Sequence, residues 1–217
     1  MRLDVLKSCC LVVLCLVPAV AFAQAGTTYE VKITNLTRGQ IMSPPVVFSH
    51  DEGVSLFEPG QPASNELAAL AEDTDSAGLL AMLASHPSVR DVVIDSGPIL
   101  PGASATLEVS VQGGQRLISF ASMLVTTNDS FAAVRGLRTH PAQTVSAMVP
   151  AYDAGSEGNN ELCAFIPGPP CDNPFQHDAA GAEGYVYINA GVQGVGDLTG
   201  MHDWRNPVAR VEVRRQR

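Results

Sequence analysis

The chain has few of the basic residues that nucleic-acid-binding proteins need. Only 13 of its 217 residues are Lys or Arg, against 22 that are Asp or Glu. A chain with this acidic surplus repels a phosphate backbone, so we do not expect nucleic acid as a partner. Cysteine is also scarce, and three of the five cysteines stand at positions 9, 10 and 15, near the N-terminus.

Apolar runs long enough to cross a bilayer are missing too. The apolar stretch at 9–20 is shorter than the about 20 residues that a membrane helix needs. It follows Arg2 and Lys7 and precedes an A-x-A pattern at 21–23, which is typical of a signal-peptide cleavage site. We therefore expect residues 1–23 to be a signal peptide, with an uncleaved anchor as the alternative.

Cleavage after Ala23 or Ala25 would release a secreted or periplasmic protein without a membrane span. Loss of residues 1–23 removes two basic residues and one acidic residue, which leaves a formal charge of −10 on residues 24–217. About 190 residues are enough for one domain with a substantial core. We expect that single domain to cover 24–217.

Motifs of common enzymes are absent as well. The sequence has no G-x-S-x-G, no H-E-x-x-H, no phosphate-binding P-loop and no G-x-G-x-x-G that opens a helix. The five histidines are scattered; His177 and His202 each precede an aspartate and could form a transition-metal site if the fold brought them together. Solvated loop histidines are the favoured alternative, and we predict a protein that is not an enzyme.

Two cysteines remain after the predicted cleavage. Cys163 and Cys171 lie in the Pro- and Gly-rich segment "CAFIPGPPC" of a chain predicted to enter an oxidising compartment. A disulfide is the default expectation there. A zinc-binding pair is the alternative, but zinc clusters use tighter cysteine spacings and further ligands nearby.

The pattern of apolar residues predicts a mostly β fold. Segments with β-branched residues at every second position, separated by Gly, Pro and Asn, are typical of an antiparallel β-sandwich. Only 63–86 reads as helical, and it predicts two short helices broken near Thr74-Asp75. Asp73 and Asp75 lie at this break, where capping of the helix ends is favoured over a metal site. The predicted strands lie in "TTYEVKITNLT", "PPVVFSH", "VRDVVIDSG", "ASATLEVSVQG", "RLISFASMLV", "QTVSAMV", "GYVYINAG" and "PVARVEVRR".

Oxygen-rich loops follow two of the predicted strands. Asp129 follows "RLISFASMLV", and Asp153 begins "DAGSEGNNE", which also contains Glu157 and Glu161. Calcium takes six to eight oxygen ligands from carboxylates, amides and backbone carbonyls on such loops. The alternative is that Asp129 and Asp153 only form Asx-turns, and spacing alone favours this alternative.

Several segments resemble the spondin N-terminal domain family, which includes F-spondin, mindin and bacterial secreted members. They are "ITNLTRGQIMSPPVVFSH", "FASMLVTTNDSF", "YDAGSEGNNE" and "HDWRNPVARVEV". The family's S-M-[IL]-V-x-[ST]-x-D-x-F segment is similar to 122–131, and its D-A-G-[TS]-[DE] segment is similar to 153–157. The chain departs from the animal members at Glu157, where Asp is usual, and at Ser130, where they carry an aromatic residue.

The resemblance implies an antiparallel β-sandwich that binds calcium at one end and acts in extracellular adhesion. It implies metal-ligand roles for Asp129 and Asp153, and for Glu157 in place of the family's Asp. We therefore expect an exported, non-catalytic calcium-binding module that binds a surface protein or glycan. The alternatives are a metal-dependent hydrolase with a histidine such as His177 or His202 as its base, and a structural component of an envelope or matrix.

Overall fold

The computed structural model describes residues 26–217. The predicted signal peptide, residues 1–23, lies outside the described residues. In the described chain no helix is long and apolar enough to span a membrane. In chain order the elements are β1 (Thr27–Asn35), β2 (Val46–His50), α1 (Asn65–Asp73), α2 (Ala77–Ser85), β3 (Val89–Ile94), β4 (Ser104–Val111), β5 (Leu117–Met123), β6 (Ser130–Arg138), β7 (Val145–Val149), β8 (Ala151–Asp153), a 3₁₀ turn (Cys163–Phe165), β9 (Tyr187–Ile188) and β10 (Ala209–Arg215).

The strands form two antiparallel sheets, which confirms the predicted fold class. The smaller sheet has the order β4-β1-β10-β7, and the larger has the order β3-β2-β5-β6-β8-β9. On β1 the alternate residues Tyr29, Val31 and Ile33 are buried against the larger sheet, because successive side chains of a strand point to opposite faces. The inner faces of the two sheets enclose the main core.

A second core lies under the two helices, on the outer face of the larger sheet. Val47 and Phe120 point into the sandwich, whereas their neighbours Phe48 and Ala121 pack beneath α1 and α2. Strands β2 and β5 are therefore buried on both faces, which explains their nearly continuous apolar sequences. The helices thus convert one sheet of the sandwich into a central layer.

The helical region divides where the sequence predicted. Ser64 caps α1 by accepting a hydrogen bond from the N–H of Leu67 at 3.2 Å. Thr74, with φ 62°, takes the left-handed conformation that ends α1, and the Asp75 carboxylate accepts from the Ala77 N–H at the start of α2. The interpretation of Asp75 as a capping residue is confirmed.

The chain changes sheets at Pro150. Strand β7 belongs to the smaller sheet and β8 to the larger one, so the continuous apolar segment "TVSAMVPAY" becomes two strands. Proline has no N–H for a ladder, and the side-chain oxygen of Asn206 accepts from the Ala151 N–H at 2.7 Å just after it. Of "GYVYINAG", only Tyr187–Ile188 pairs, as a two-residue edge strand.

One end of the sandwich gathers the predicted site residues. Strand β5 ends there, β6 begins there, and β8 ends there opposite the first residue of β6, because Ser130 pairs with Asp153. The loops at 124–129 and 154–161 therefore lie side by side. We call this end of the molecule the acidic rim.

Candidate metal centre

The turn before β6 is closed by Thr127, not by Asp129. The Thr127 hydroxyl donates to the Leu124 carbonyl at 2.6 Å and accepts from the Ser130 N–H at 3.0 Å. Asp129 is left with its carboxylate fully buried and directed toward the next loop. The Asx-turn alternative does not describe this residue.

Asp129 binds the backbone of the loop after β8. Its Oδ2 accepts hydrogen bonds from the N–H groups of Ser156 at 2.9 Å and Glu157 at 3.0 Å. Its Oδ1 is buried and has no hydrogen-bond partner among the described residues. Burial, and next the charge of Asp153, raise the pKa of Asp129 to about 8, although the two N–H donors act in the opposite direction.

Asp153 is fully buried at the end of β8 and does form an Asx-turn. Its Oδ1 accepts from the Gly155 N–H at 2.9 Å, which is the local bond of that alternative. Its Oδ2 accepts from the side-chain amides of Asn159 and Asn189, each at 2.9 Å. Burial raises the pKa of Asp153, and these donors only partly offset the shift.

Glu157 supplies the second unsatisfied oxygen. Its Oε1 accepts from the Asp178 N–H at 3.1 Å, whereas its Oε2 is buried without a partner in the described part of the chain. Burial raises the pKa of Glu157 to about 8, and the charges of Glu72, Asp129 and Asp73 add to this effect. The three residues predicted from sequence thus share one buried network.

Glycines hold the rim loop close to the segment 180–185. A Cβ on Gly155, which has φ 67°, would lie 2.3 Å from the carbonyl oxygen of Tyr185. A Cβ on Gly158 would lie 2.2 Å from the carbonyl oxygen of Ala180. Only glycine permits this close approach, which places the backbone of 178–187 against the carboxylates.

Sequence reasoning missed the contribution of α1 to the rim. Asp73, the last residue of α1, accepts from the Phe175 N–H at 2.7 Å and pairs with His177 Nε2 at 2.8 Å. Glu72 Oε2 lies 3.9 Å from the same His177 nitrogen. Asp73 was predicted to cap a helix and instead fastens the 172–178 segment; nothing in the local pattern identifies a contact across about 100 residues.

The two histidines singled out in the sequence have separate partners. His177 pairs with Asp73, whereas the His202 ring accepts from the Thr199 N–H at 3.1 Å. The Asp203 carboxylate binds Arg205 and the Val192 N–H. These contacts give no support to the His177–His202 metal site.

Glu161 has a different role from its neighbours in the loop. Its carboxylate accepts hydrogen bonds from three consecutive N–H groups, those of Gln193, Gly194 and Val195. The backbone of Glu161 takes a left-handed conformation with φ 55°. With both oxygens engaged, Glu161 fastens the 193–195 segment to the rim and is not a free ligand.

The donor set of the rim fits a hard cation only in part. Asp129, Asp153 and Glu157 provide the oxygen ligands that calcium prefers, and Asp129 Oδ1 and Glu157 Oε2 have no hydrogen-bond donor among the described residues. Both oxygens of Asp153, however, and the remaining oxygen of each of the other two residues accept N–H groups. Within residues 26–217, no group of three or more His, Cys, Asp or Glu side chains is arranged to hold a metal ion.

The predicted disulfide is confirmed. Cys163 and Cys171 are bonded, and they close the loop that follows Glu161. Asn173 donates to the carbonyls of both cysteines, at 2.8 Å and 3.1 Å, and the Gly168 N–H donates to the Val125 carbonyl at 2.8 Å. The disulfide loop therefore packs against the strand end that leads to Asp129.

The fold and the site define an antiparallel β-sandwich with a buried acidic cluster at one end. No protein-family model and no curated protein matches the sequence. The similarity to the spondin N-terminal domain family thus stays a resemblance in short motifs, and the calcium and adhesion roles that it implies stay predictions.

Proposed function

We propose that the chain is an exported, non-catalytic β-sandwich module that binds calcium at the acidic rim and acts in binding at the cell surface or outside the cell. The observation that carries the calcium role is a pair of buried oxygens, Asp129 Oδ1 and Glu157 Oε2, that have no hydrogen-bond partner within residues 26–217. A buried carboxylate oxygen without a donor is costly, and a hard cation offsets that cost.

Electrostatics support the same role. The pKa values of Asp129, Asp153 and Glu157 are all raised, so without a cation the fold disfavours three ionised carboxylates in one place. A divalent cation beside them lowers those pKa values again and binds the folded state in preference to the unfolded chain. Calcium suits irregular loops better than magnesium, which demands near-octahedral geometry.

Calorimetric titration of the chelator-treated protein with calcium at pH 8 tests the site. We expect one calcium to bind per chain and Asp129→Asn to weaken binding by about tenfold or more, since it removes a charged ligand. Asp172→Asn makes the same chemical change at an exposed position and is the matched control. An absence of binding heat together with an unchanged melting temperature in saturating calcium would rule out the site.

The surface-binding role is supported by the family resemblance and by the lack of enzyme motifs. Labelled protein should be retained on a panel of immobilised glycans or surface proteins in calcium and released by chelator. If neither chelator nor Asp129→Asn changes the retention, surface binding does not depend on the acidic rim.

A metal-dependent hydrolase is the second candidate, and one observation favours it. His177, with 42% of its side chain exposed, pairs with Asp73 at 2.8 Å, an arrangement that orients an imidazole as a base. Chromogenic ester and phosphate substrates, assayed with calcium or zinc, test this role. Turnover that His177→Ala abolishes without lowering the melting temperature would favour the hydrolase over the non-catalytic module.

A further inference from the structure

The end of the sandwich opposite the acidic rim carries a cleft between the two sheets. Strand β1 begins there, β4 ends there, and β10 ends there. The cleft has a volume of about 250 Å³. Its lining includes Tyr29, Val111, Arg116, Thr139 and Arg215.

The cleft combines an apolar floor with an arginine on the inner side of the smaller sheet. Tyr29 and Val111 are 5% and 6% exposed and belong to the main core. Arg215 stands directly opposite Tyr29 in the antiparallel ladder, so its side chain leaves β10 on the inner side of the sheet. The next residue, Gln216, donates its N–H to the Thr28 carbonyl at 3.0 Å, which holds this end of β10 in place.

In the described part of the chain, both arginines of the cleft lack an acidic partner. No carboxylate lines it, and within residues 26–217 neither Arg116 nor Arg215 forms an ion pair. The Arg116 Nε donates a hydrogen bond to the Gly113 carbonyl at 2.8 Å, and its terminal nitrogens have no partner among residues 26–217. Two uncompensated guanidinium groups in one cleft stand out in a chain with 22 acidic and 13 basic residues.

A larger groove of about 970 Å³ continues from the cleft and shares Arg215 with it. Arg217 also lines this groove. Among the described side chains that line the groove, the carboxylate is that of Glu30, and both of its oxygens accept from Arg214 at 2.8 and 2.9 Å. The groove therefore adds positive charge next to the cleft and gives an organic ligand room to extend.

We propose that this cleft binds the phosphate group of a small organic phosphate, with Arg116 and Arg215 as its ligands. Two forked guanidinium groups supply more donors than a carboxylate accepts, and their charge matches a doubly charged tetrahedral group. Thr139 contributes a hydroxyl to the lining, and the floor of Tyr29 and Val111 suits an apolar part of the ligand. The site is independent of the calcium role, because it lies at the other end of the molecule.

Titration of the full-length exported protein in chelator with phenyl phosphate, inorganic phosphate and phenyl acetate tests the site. Phenyl phosphate should bind most tightly, and Arg116→Gln and Arg215→Gln should each weaken it about tenfold, since a charge-assisted hydrogen bond is lost. Arg38→Gln is the matched control: Arg38 is an exposed arginine near the acidic rim that also donates to a backbone carbonyl, that of Gly200. The melting temperature of each variant shows whether it is folded.

The results of these titrations either support the phosphate site or overturn it. Binding of phenyl phosphate that depends on both arginines and falls with salt supports the proposal. Absence of phosphate binding, equal binding of phenyl acetate, or equal weakening by Arg38→Gln overturns it. Vesicles of phosphatidylcholine with and without phosphatidic acid identify the source: arginine-dependent binding to the acidic vesicles supports a lipid headgroup, and binding of phenyl phosphate alone supports a soluble phosphate ester. Calcium binding is unaffected by either result.

Discussion

Replacing Asp129 with Asn tests whether the acidic rim is destabilised by its own ionised carboxylates. The pKa values of Asp129 and Glu157 rise to about 8 in the folded protein, from ordinary values of 3.8 and 4.5. Between about pH 5 and 8, each group therefore holds a proton in the folded state that it has lost in the unfolded chain. The free energy of unfolding must fall as pH rises through this window.

The size of the effect follows from the number of protons. Each such group changes the free energy of unfolding by about 1.4 kcal/mol per pH unit, so the pair gives about 2.7 kcal/mol per unit in the metal-free protein. The Asn variant should lose the share of Asp129, about 1.4 kcal/mol per unit, and should keep the slopes of Glu157 and of Asp153, whose pKa burial also raises. Its side-chain oxygen still accepts from the N–H groups of Ser156 and Glu157, so we expect it to fold.

The lowered pKa values of other carboxyl groups act in a different pH range. Hydrogen bonds and nearby cations lower the pKa of Glu30, and hydrogen bonds lower those of Asp51 and Glu58. Their contributions are complete above the ordinary carboxyl pKa and are lost only as pH falls below it. They add no slope between pH 5.5 and 7.5. Burial lowers the pKa of His50 from its ordinary value of 6.5, which gives an opposite slope below that pH in wild type and variants alike, so the difference between variants measures the rim.

Denaturant unfolding in chelator at pH 5.5, 6.5 and 7.5 measures these slopes for wild type, Asp129→Asn and the Asp172→Asn control. Wild type and control should share the steep dependence, and the slope of Asp129→Asn should be smaller by about 1.4 kcal/mol per pH unit. A free energy of unfolding that is constant over this range, or a slope that Asp129→Asn leaves unchanged, would refute the account of a protonated rim.

Three further predictions concern the scaffold of the rim. Saturating calcium at pH 8 should raise the melting temperature by about 5–10 °C, since binding at about 100 times the Kd adds about 2.7 kcal/mol, and differential scanning calorimetry measures this. Glu161→Gln should destabilise the protein by about 2 kcal/mol, because its carboxylate binds three N–H groups, and should speed proteolysis within 193–195. Replacing Cys163 and Cys171 with Ser should cost about 2–3 kcal/mol of unfolding free energy for so short a loop, measured in denaturant; an unchanged midpoint would contradict this.

The fold was predictable because local periodicity and burial agree. On β1 and β4 the apolar residues alternate, and the structure buries one face of each strand. The helix break at Thr74 followed from its turn chemistry. The division at Pro150 was not predictable from the sequence, because the run is apolar on both sides of the proline, as Val149 and Tyr152 show. Its two halves pair in different sheets, and only the structure reveals this.

The site was predictable only where loops adjoin strand ends. Asp129 and Asp153 come together because β6 and β8 pair, and their resemblance to family motifs indicated this from the sequence. Asn189 reaches the network from a distant segment by its hydrogen bond to Asp153, and Asp73 acts on the network through its charge, which raises the pKa of Glu157. No local spacing encodes either contribution. A carboxylate oxygen that already accepts N–H groups is less available to a metal than one that accepts none. The number of N–H donors at each oxygen can be read only from the structure.

The acidic end of α1 connects the stability of a helix to the state of the rim. Glu72 and Asp73 occupy the last turn of α1, which has no basic residue. Carboxylates there oppose the helix dipole, at a cost of about 0.3–1 kcal/mol each. Their charges also raise the pKa of Glu157. The contact between His177 and Asp73 offsets this repulsion only in part, because the His177 side chain is 42% exposed and solvent weakens the interaction. A cation at Glu157 would reduce the remaining repulsion, and thus calcium bound at the rim should also slow hydrogen exchange in the last turn of α1.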